Sequence, residues 1–257
     1  MKPFLGAAPT FRDVGGLTVG DGRRVRTGRL YRAGGLQQPT AKDRVSLQRT
    51  GIRTVLDLRS EVECKLHPSA WGEACRARVV QCDVNRDIRA GGHDLLDLLR
   101  AGRGEAGARE MMRQTYRGFG RAFEQQLPRL FSMFLADETL PALIHCTAGK
   151  DRTGFACAML LYALGADERT IVADYLSTAQ FIGSESILRA TAQMLEAYLG
   201  EHPDGEVVKA VAGVRGEYIE AALDEVGRIH GSLERYLQVV GGLDAPRQAR
   251  LQALLLE

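Results

Sequence analysis

Pro141 to Ile144 is apolar, Phe155 to Leu164 is almost unbroken in apolar side chains, and between them run His145, Cys146, Thr147, Ala148, Gly149, Lys150, Asp151, Arg152, Thr153 and Gly154. The flanking stretches read as a buried strand and a buried helix, so the ten residues form a loop that opens a helix. Such a junction is a ready anion site. Loop N–H groups turn inward around an oxyanion, and the first helical turn adds unsatisfied N–H groups and the positive end of its dipole. Cys146 opens the loop and Arg152 closes it, with five residues between them. A loop of that length lets a guanidinium grip two oxygens of a phosphate while the sulfur lies beneath the phosphorus.

The sulfur must be a thiolate to react, whereas a free thiol with a pKa of about 8.5 is only a few per cent ionised at neutrality. Helix N-termini and nearby cations lower that value to about 3.5 to 7.5. Here the inward amides, the helix end, Lys150 and Arg152 supply the pull. Thr153 offers a hydroxyl that donates to the sulfur or caps the helix, and Gly149 suits a positive φ or a close backbone approach. Taken singly, each residue has a plain structural reading: an inert core thiol, a packed imidazole, a Gly-Lys turn. Their coincidence at one strand-to-helix junction is what points to chemistry.

The stretch resembles the phosphate loop of Cys-dependent protein tyrosine and dual-specificity phosphatases, which reads His-Cys, five residues, Arg, then Ser or Thr. It is closer still to the bacterial tyrosine phosphatases with His-Cys-x-x-Gly-Lys-Asp-Arg. Phe11-Arg12-Asp13-Val14-Gly15-Gly16, Leu30-Tyr31-Arg32-Ala33-Gly34, Gly51 through Arg59 and Asp174-Tyr175-Leu176 match as well, which spreads the similarity from residue 11 to about residue 180. The resemblance implies hydrolysis of phosphotyrosine through a phosphocysteine on Cys146, with dual or broad specificity reaching phosphoserine and phosphothreonine. Arg152, the amides of Thr147, Ala148, Gly149 and Lys150, and Thr153 would hold the phosphoryl oxygens, and His145 would orient the loop. Asp151 would protonate the leaving phenolate, since the resembled branch has an Asp at that place. The Trp-Pro-Asp tripeptide that many such enzymes use is missing, the one Trp being Trp71 in Ala70-Trp71-Gly72. Asp83, at the exit of an expected strand, is the second candidate acid. No cofactor and no metal is implied.

A phosphoinositide or inositol phosphate phosphatase is the alternative, with Lys150 adding charge for a polyanionic headgroup. A catalytically inactive phosphate-binding module is more remote, because Cys146 and Arg152 are both intact. A sulfur-transfer enzyme fits the Arg-Thr-Gly ending less well.

The rest of the sequence sets bounds. A net charge of +2, 45% hydrophobic and 26% charged residues describe an ordinary globular chain, with no reason to expect nucleic acid or a membrane surface as partner. The expected partners are phosphorylated proteins or peptides, and phosphoinositides under the alternative. Cysteines at 64, 75, 82, 146 and 157 are odd in number, without Cys-x-x-Cys or metal spacing, which favours a reducing compartment. The sequence begins without a secretory signal pattern and has no long apolar run, so the expectation is a cytoplasmic protein, with release by a signal-independent route as in some relatives of that branch.

Strands or a hairpin are expected at Phe11 to Val19 and Arg24 to Ala33, a helix at Thr40 to Thr50, and strands at Ile52 to Leu58 and Arg78 to Val84. Arg12, Asp13 and Arg32, like Asp57 and Arg59, either approach the pocket or form scaffold ion pairs. Residues 91–135 carry helical periodicity and read as an insertion that folds over the pocket as a lid or packs on the sheet. Helical runs fill 184–257. The expectation is α/β: one phosphatase domain over residues 1–257, with a central, mostly parallel sheet flanked by helices.

Overall fold

Ala142, Leu143, Ile144 and His145 are all buried, as are Thr54 to Asp57, and continuous burial on both faces marks strands at the centre of a sheet covered on both sides. The computed structural model describes residues 5–84, 97–99 and 104–257. In chain order its elements are β1 (Arg12–Asp13), β2 (Leu30–Ala33), α1 (Ala41–Arg49), β3 (Thr54–Asp57), α2 (Glu61–Leu66), α3 (Trp71–Cys75) and β4 (Arg78–Gln81). Then follow α4 (Gly104–Arg117), α5 (Phe119–Ala122), α6 (Leu127–Phe134), β5 (Ala142–His145), α7 (Asp151–Ala163), α8 (Glu168–Ser177) and α9 (Ala179–Ile182). The chain ends in α10 (Glu185–Leu199), α11 (Gly205–Ala212), α12 (Gly216–His230), α13 (Leu233–Val239) and α14 (Ala245–Leu255).

The strands run in the order β1-β2-β5-β3-β4, with β1 antiparallel to β2 and the other pairs parallel. Ala33 and Asp57 both pair with His145. The three inner strands therefore end level, and the segments that leave them meet above β5. This is the edge where open α/β sheets gather ligands.

Alternation along the strands splits the core in two. Leu143, Val55 and Ala33 join Phe11, Leu47 and Trp71 on one face, while Ala142, Ile144, Leu56 and Leu30 join α4 to α8 and the C-terminal helices on the other. Almost all of α7 is buried, as befits a helix apolar all round. It starts at Asp151, four residues ahead of the apolar run that announces it.

Side-chain caps fix where several helices begin: Thr40 with Asp43 at α1, Ser60 with Glu63 at α2, Asp167 at α8 and Asp244 at α14. The expected hairpin shrinks to the two residues of β1 against β2, plus a bridge between Thr18 and Arg24. Residues 91–96 and 100–103 of the expected insertion lie outside the described residues. Over residues 104–135 the lid reading gives way, because Met111, Tyr116, Phe119, Phe123 and Phe131 are fully buried in the larger core. Glu257 and Arg24 exchange backbone hydrogen bonds of 2.8 and 2.9 Å, which ties the end of α14 to the segment before β2.

Candidate active site

The loop between β5 and α7 lies backbone to backbone on the segment that leaves β2. Gly35 N donates to Thr147 O at 2.9 Å. Gly149 has φ +70°, and a Cβ there would stand 2.4 Å from Ala33 C and Gly34 N, so neither the dihedral nor the space admits another residue. Behind it, the fully buried Arg32 donates to Gly149 O at 3.2 Å and to Asp174 Oδ2 at 2.5 Å. Arg12 reaches the same aspartate and donates to Thr178 Oγ1 at 2.9 Å. Arg32 thus both reaches the loop and pairs with Asp174, with Arg12 on the same aspartate behind it, and neither forms a surface pair that holds a hairpin. Asp13 instead accepts from Gly15 N and Gly28 N in the turn beside β1.

Cys146, only 2% exposed, stands at the start of the loop and Arg152, wholly buried, in the first turn of α7. The guanidinium is gripped by Glu63 of α2: Nη1 donates to Oε2 at 2.6 Å and Nη2 to Oε1 at 2.7 Å. Glu63 also accepts from Thr147 Oγ1 and from Ser60 N. Burial alone would raise the Glu63 pKa, but hydrogen bonds and charge from Arg152, with Thr147 and Ser60 adding, bring it down to about 2. One carboxylate therefore sets the plane of Arg152 and ties down the first loop residue after the cysteine. Sequence reasoning missed it, although Ser60 to Glu63 spells the capping box that starts α2.

His145 is fully buried, with Nδ1 3.2 Å from Cys146 O and Nε2 3.5 Å from Asp57 Oδ2. Burial, only partly opposed by Asp57, lowers its pKa to about 4, so the ring is neutral at pH 7. Asp57 and Arg59 pair with each other, Nη2 to Oδ2 at 2.6 Å, and Arg59 donates onward to His67 O. Among the described residues, the N–H groups of Thr147, Ala148 and Gly149 donate to no protein acceptor, and Thr153 Oγ1 is buried without a partner. These are the donors an entering oxyanion would meet.

Lys150 departs from expectation. Its side chain is 1% exposed, and Nζ donates to Val211 O at 2.6 Å, Gly213 O at 3.0 Å and Ala212 O at 3.3 Å. These carbonyls close the C-terminal end of α11, where helical carbonyls lack intrahelical partners. The ammonium is therefore a helix cap turned inward and not a headgroup reader at the mouth. Lys150→Met is expected to lower the unfolding free energy by about 2 kcal/mol or more and to depress turnover of singly and multiply phosphorylated substrates alike. Urea melts and a two-substrate comparison check this.

Asp151 is buried, Tyr116 Oη donates to its Oδ1 at 2.7 Å, and Lys150 Nζ lies 3.3 Å from the same oxygen. Asp83 sits at the start of α2, where Oδ2 accepts from Glu61 N at 3.4 Å and Oδ1 is buried without a partner among the described residues. Of the two candidate acids, only Asp151 belongs to the loop. The site's cover comes from α10. Ile187, Thr191, Met194 and Tyr198 face Thr147, Ala148, Glu63 and Arg59 across a cleft of about 420 Å³. No three His, Cys, Asp or Glu side chains among the described residues converge to hold a metal ion.

The profile of the tyrosine phosphatase family matches residues 5–257. A protein named as a tyrosine-protein phosphatase in Cupriavidus necator is 34% identical over 230 residues, which covers 88% of this chain and 79% of that one. The triple specificity protein phosphatase PtpB of Mycobacterium tuberculosis is 31% identical over 265 residues, covering 92% of this chain and 93% of its own length. A tyrosine-protein phosphatase of Nostoc commune is 28% identical over 223 residues, covering 82% and 69%.

Proposed function

The chain belongs to the tyrosine phosphatase family, and from that premise we propose that Cys146 is the nucleophile of a two-step phosphomonoester hydrolysis in which Arg152 holds the phosphoryl group and Asp151 handles the proton. The protein is a Cys-dependent protein tyrosine phosphatase. What carries the residue assignment is the placement of Cys146 and Arg152 on one loop at the C-terminal end of the central strand, with the guanidinium plane set by Glu63.

In the first step the Cys146 thiolate attacks phosphorus, the S–P bond forms as the P–O bond breaks, and Asp151 gives its proton to the departing oxygen. Arg152, the loop amides and the Thr153 hydroxyl stabilise the oxygens and the sulfur as charge moves, without reorganising. In the second step water attacks phosphorus, Asp151 takes a proton from that water, the S–P bond breaks and inorganic phosphate leaves. His145, neutral and hydrogen-bonded to the carbonyl of Cys146, orients the start of the loop.

Phosphorylated substrates follow from the family. Within that class we favour phosphotyrosine in proteins and peptides, with phosphoserine, phosphothreonine and phosphoinositides as the wider range; the relative named for triple specificity supports that breadth. The burial of the Lys150 ammonium removes the charge that would single out phosphoinositides. Five free cysteines fit a reducing compartment such as the cytoplasm, and no helix among the described residues is long and apolar enough to cross a membrane.

Asp151→Asn tests the acid. Turnover of phenyl phosphate is expected to fall about a hundredfold, while an aryl phosphate whose phenolate needs no proton is much less affected. An equal effect on both substrates would transfer the role away from Asp151, with Asp83 next in line.

A further inference from the structure

Three phenol rings meet behind the loop, and two of them are wired to the proposed acid. Tyr116 of α4 and Tyr175 of α8 are buried, with their hydroxyl oxygens 2.6 Å apart and Tyr116 Oη 2.7 Å from Asp151 Oδ1. A phenol has one proton to give. Since Tyr116 gives its proton to the carboxylate, the hydrogen between the two tyrosines is Tyr175's. The other buried tyrosines of this core use theirs differently: Tyr218 donates to Ala210 O and Tyr236 to Gly120 O, so backbone acceptors satisfy them.

We infer that Tyr116, oriented by Tyr175, is a positioning residue for Asp151, holding Oδ1 as the unprotonated oxygen and thereby directing the transferable proton to Oδ2. The inference rests on the reading of Asp151 as the acid. Oδ1 accepts from Tyr116 Oη at 2.7 Å and lies 3.3 Å from the Lys150 ammonium. A proton on that oxygen would displace the Tyr116 hydrogen, whereas a proton on Oδ2 leaves that bond intact. That proton goes to the leaving oxygen in the first step, and one returns to Oδ2 from water in the second; the Tyr116 hydrogen stays on Tyr116 throughout. Titratable groups that face Asp151 among the described residues include Lys150, Tyr116, Tyr175 and, behind them, Tyr218 of α12, whose ring lies 5.7 Å from that of Tyr116. Burial first, then the nearby carboxylate, pushes both Tyr116 and Tyr175 well above the usual phenol range, so neither donor is lost at working pH.

Tyr116→Phe removes the hydroxyl and keeps the ring that packs on Phe119 and Tyr175. The expected result is a fall of about tenfold in kcat on phenyl phosphate, with less than about twofold on 2,4-dinitrophenyl phosphate, whose leaving group needs no proton. The alkaline limb of kcat/KM should move to higher pH, because a carboxylate that loses a donor binds its proton more tightly. Tyr175→Phe should produce the same pattern, smaller, and Tyr116→Phe should add nothing in an Asp151→Asn background. Equal losses on both substrates with the limb unmoved would overturn the inference and leave the pair as packing. If Asp151→Asn itself ignores the leaving group, the acid reading falls and the inference with it, an outcome read from a different variant.

Discussion

Cys146→Ser is expected to lower hydrolysis of any aryl phosphate by about four orders of magnitude or more while inorganic phosphate still binds. A hydroxyl in the same cradle stays un-ionised, so the cradle keeps its donors and loses its nucleophile. The loop's shape does not depend on the sulfur: Gly149 packed on Ala33 and Gly34, and Arg32 on the Gly149 carbonyl, hold it from outside. Initial rates and phosphate calorimetry on the two proteins check the pair of outcomes. Turnover near the wild-type rate would dismiss the covalent route, and lost binding would mean that the serine collapses the cradle.

Glu63→Gln carries the second largest expected effect. It leaves the fully buried Arg152 guanidinium without its carboxylate, and breaking a buried pair from one side costs about 3 to 5 kcal/mol. Activity should drop about a hundredfold from misplacement of the guanidinium alone, with the hydroxyl of Thr147 set loose as well. The pH dependence has a definite sign. Glu63 goes from an ordinary 4.5 unfolded to about 2 folded, so its contribution is complete above pH 4.5 and is lost as pH falls toward 2. His145, lowered from 6.5 to about 4, also favours the folded state at higher pH, and its contribution fades between pH 6.5 and 4. Urea midpoints followed from pH 7 downward should therefore decline in two stages, and Glu63→Gln should shrink the lower one, which other carboxylates held below their usual range, Asp57 and Glu217 among them, share.

The strand-to-helix junction that carries Cys146 and Arg152 was legible because local signals agree there: an apolar strand, a short polar loop and an apolar helix. The strand order was not, since β5 inserts between β2 and β3 through pairings that leave no local trace. Glu63 was hidden inside an ordinary capping box whose second use, on Arg152, depends on how α2 sits over the loop. Lys150 was legible as a loop residue but not as a cap, because its acceptors lie some sixty positions further on, at 211–213. Tyr116 reads as one more member of a core-facing helical stripe, and only the fold brings its hydroxyl to Asp151. Over 104–135 the sequence left a lid and a packed segment equally open, because helical periodicity marks a buried face without saying what buries it, and the fold puts that face in the larger core.

The bond from Lys150 to the end of α11 also limits how such a sequence can drift. A residue inserted or deleted in the turn around 211–213 would shift the carbonyls that receive the ammonium, and the strain would appear at the catalytic loop. Substitutions in that remote turn should therefore be tolerated in proportion to whether the three acceptors keep their spacing. Its backbone path is held by Lys150, and its side chains by the core around Val211 and by Lys209 O, 2.7 Å from where a Cβ at position 213 would stand.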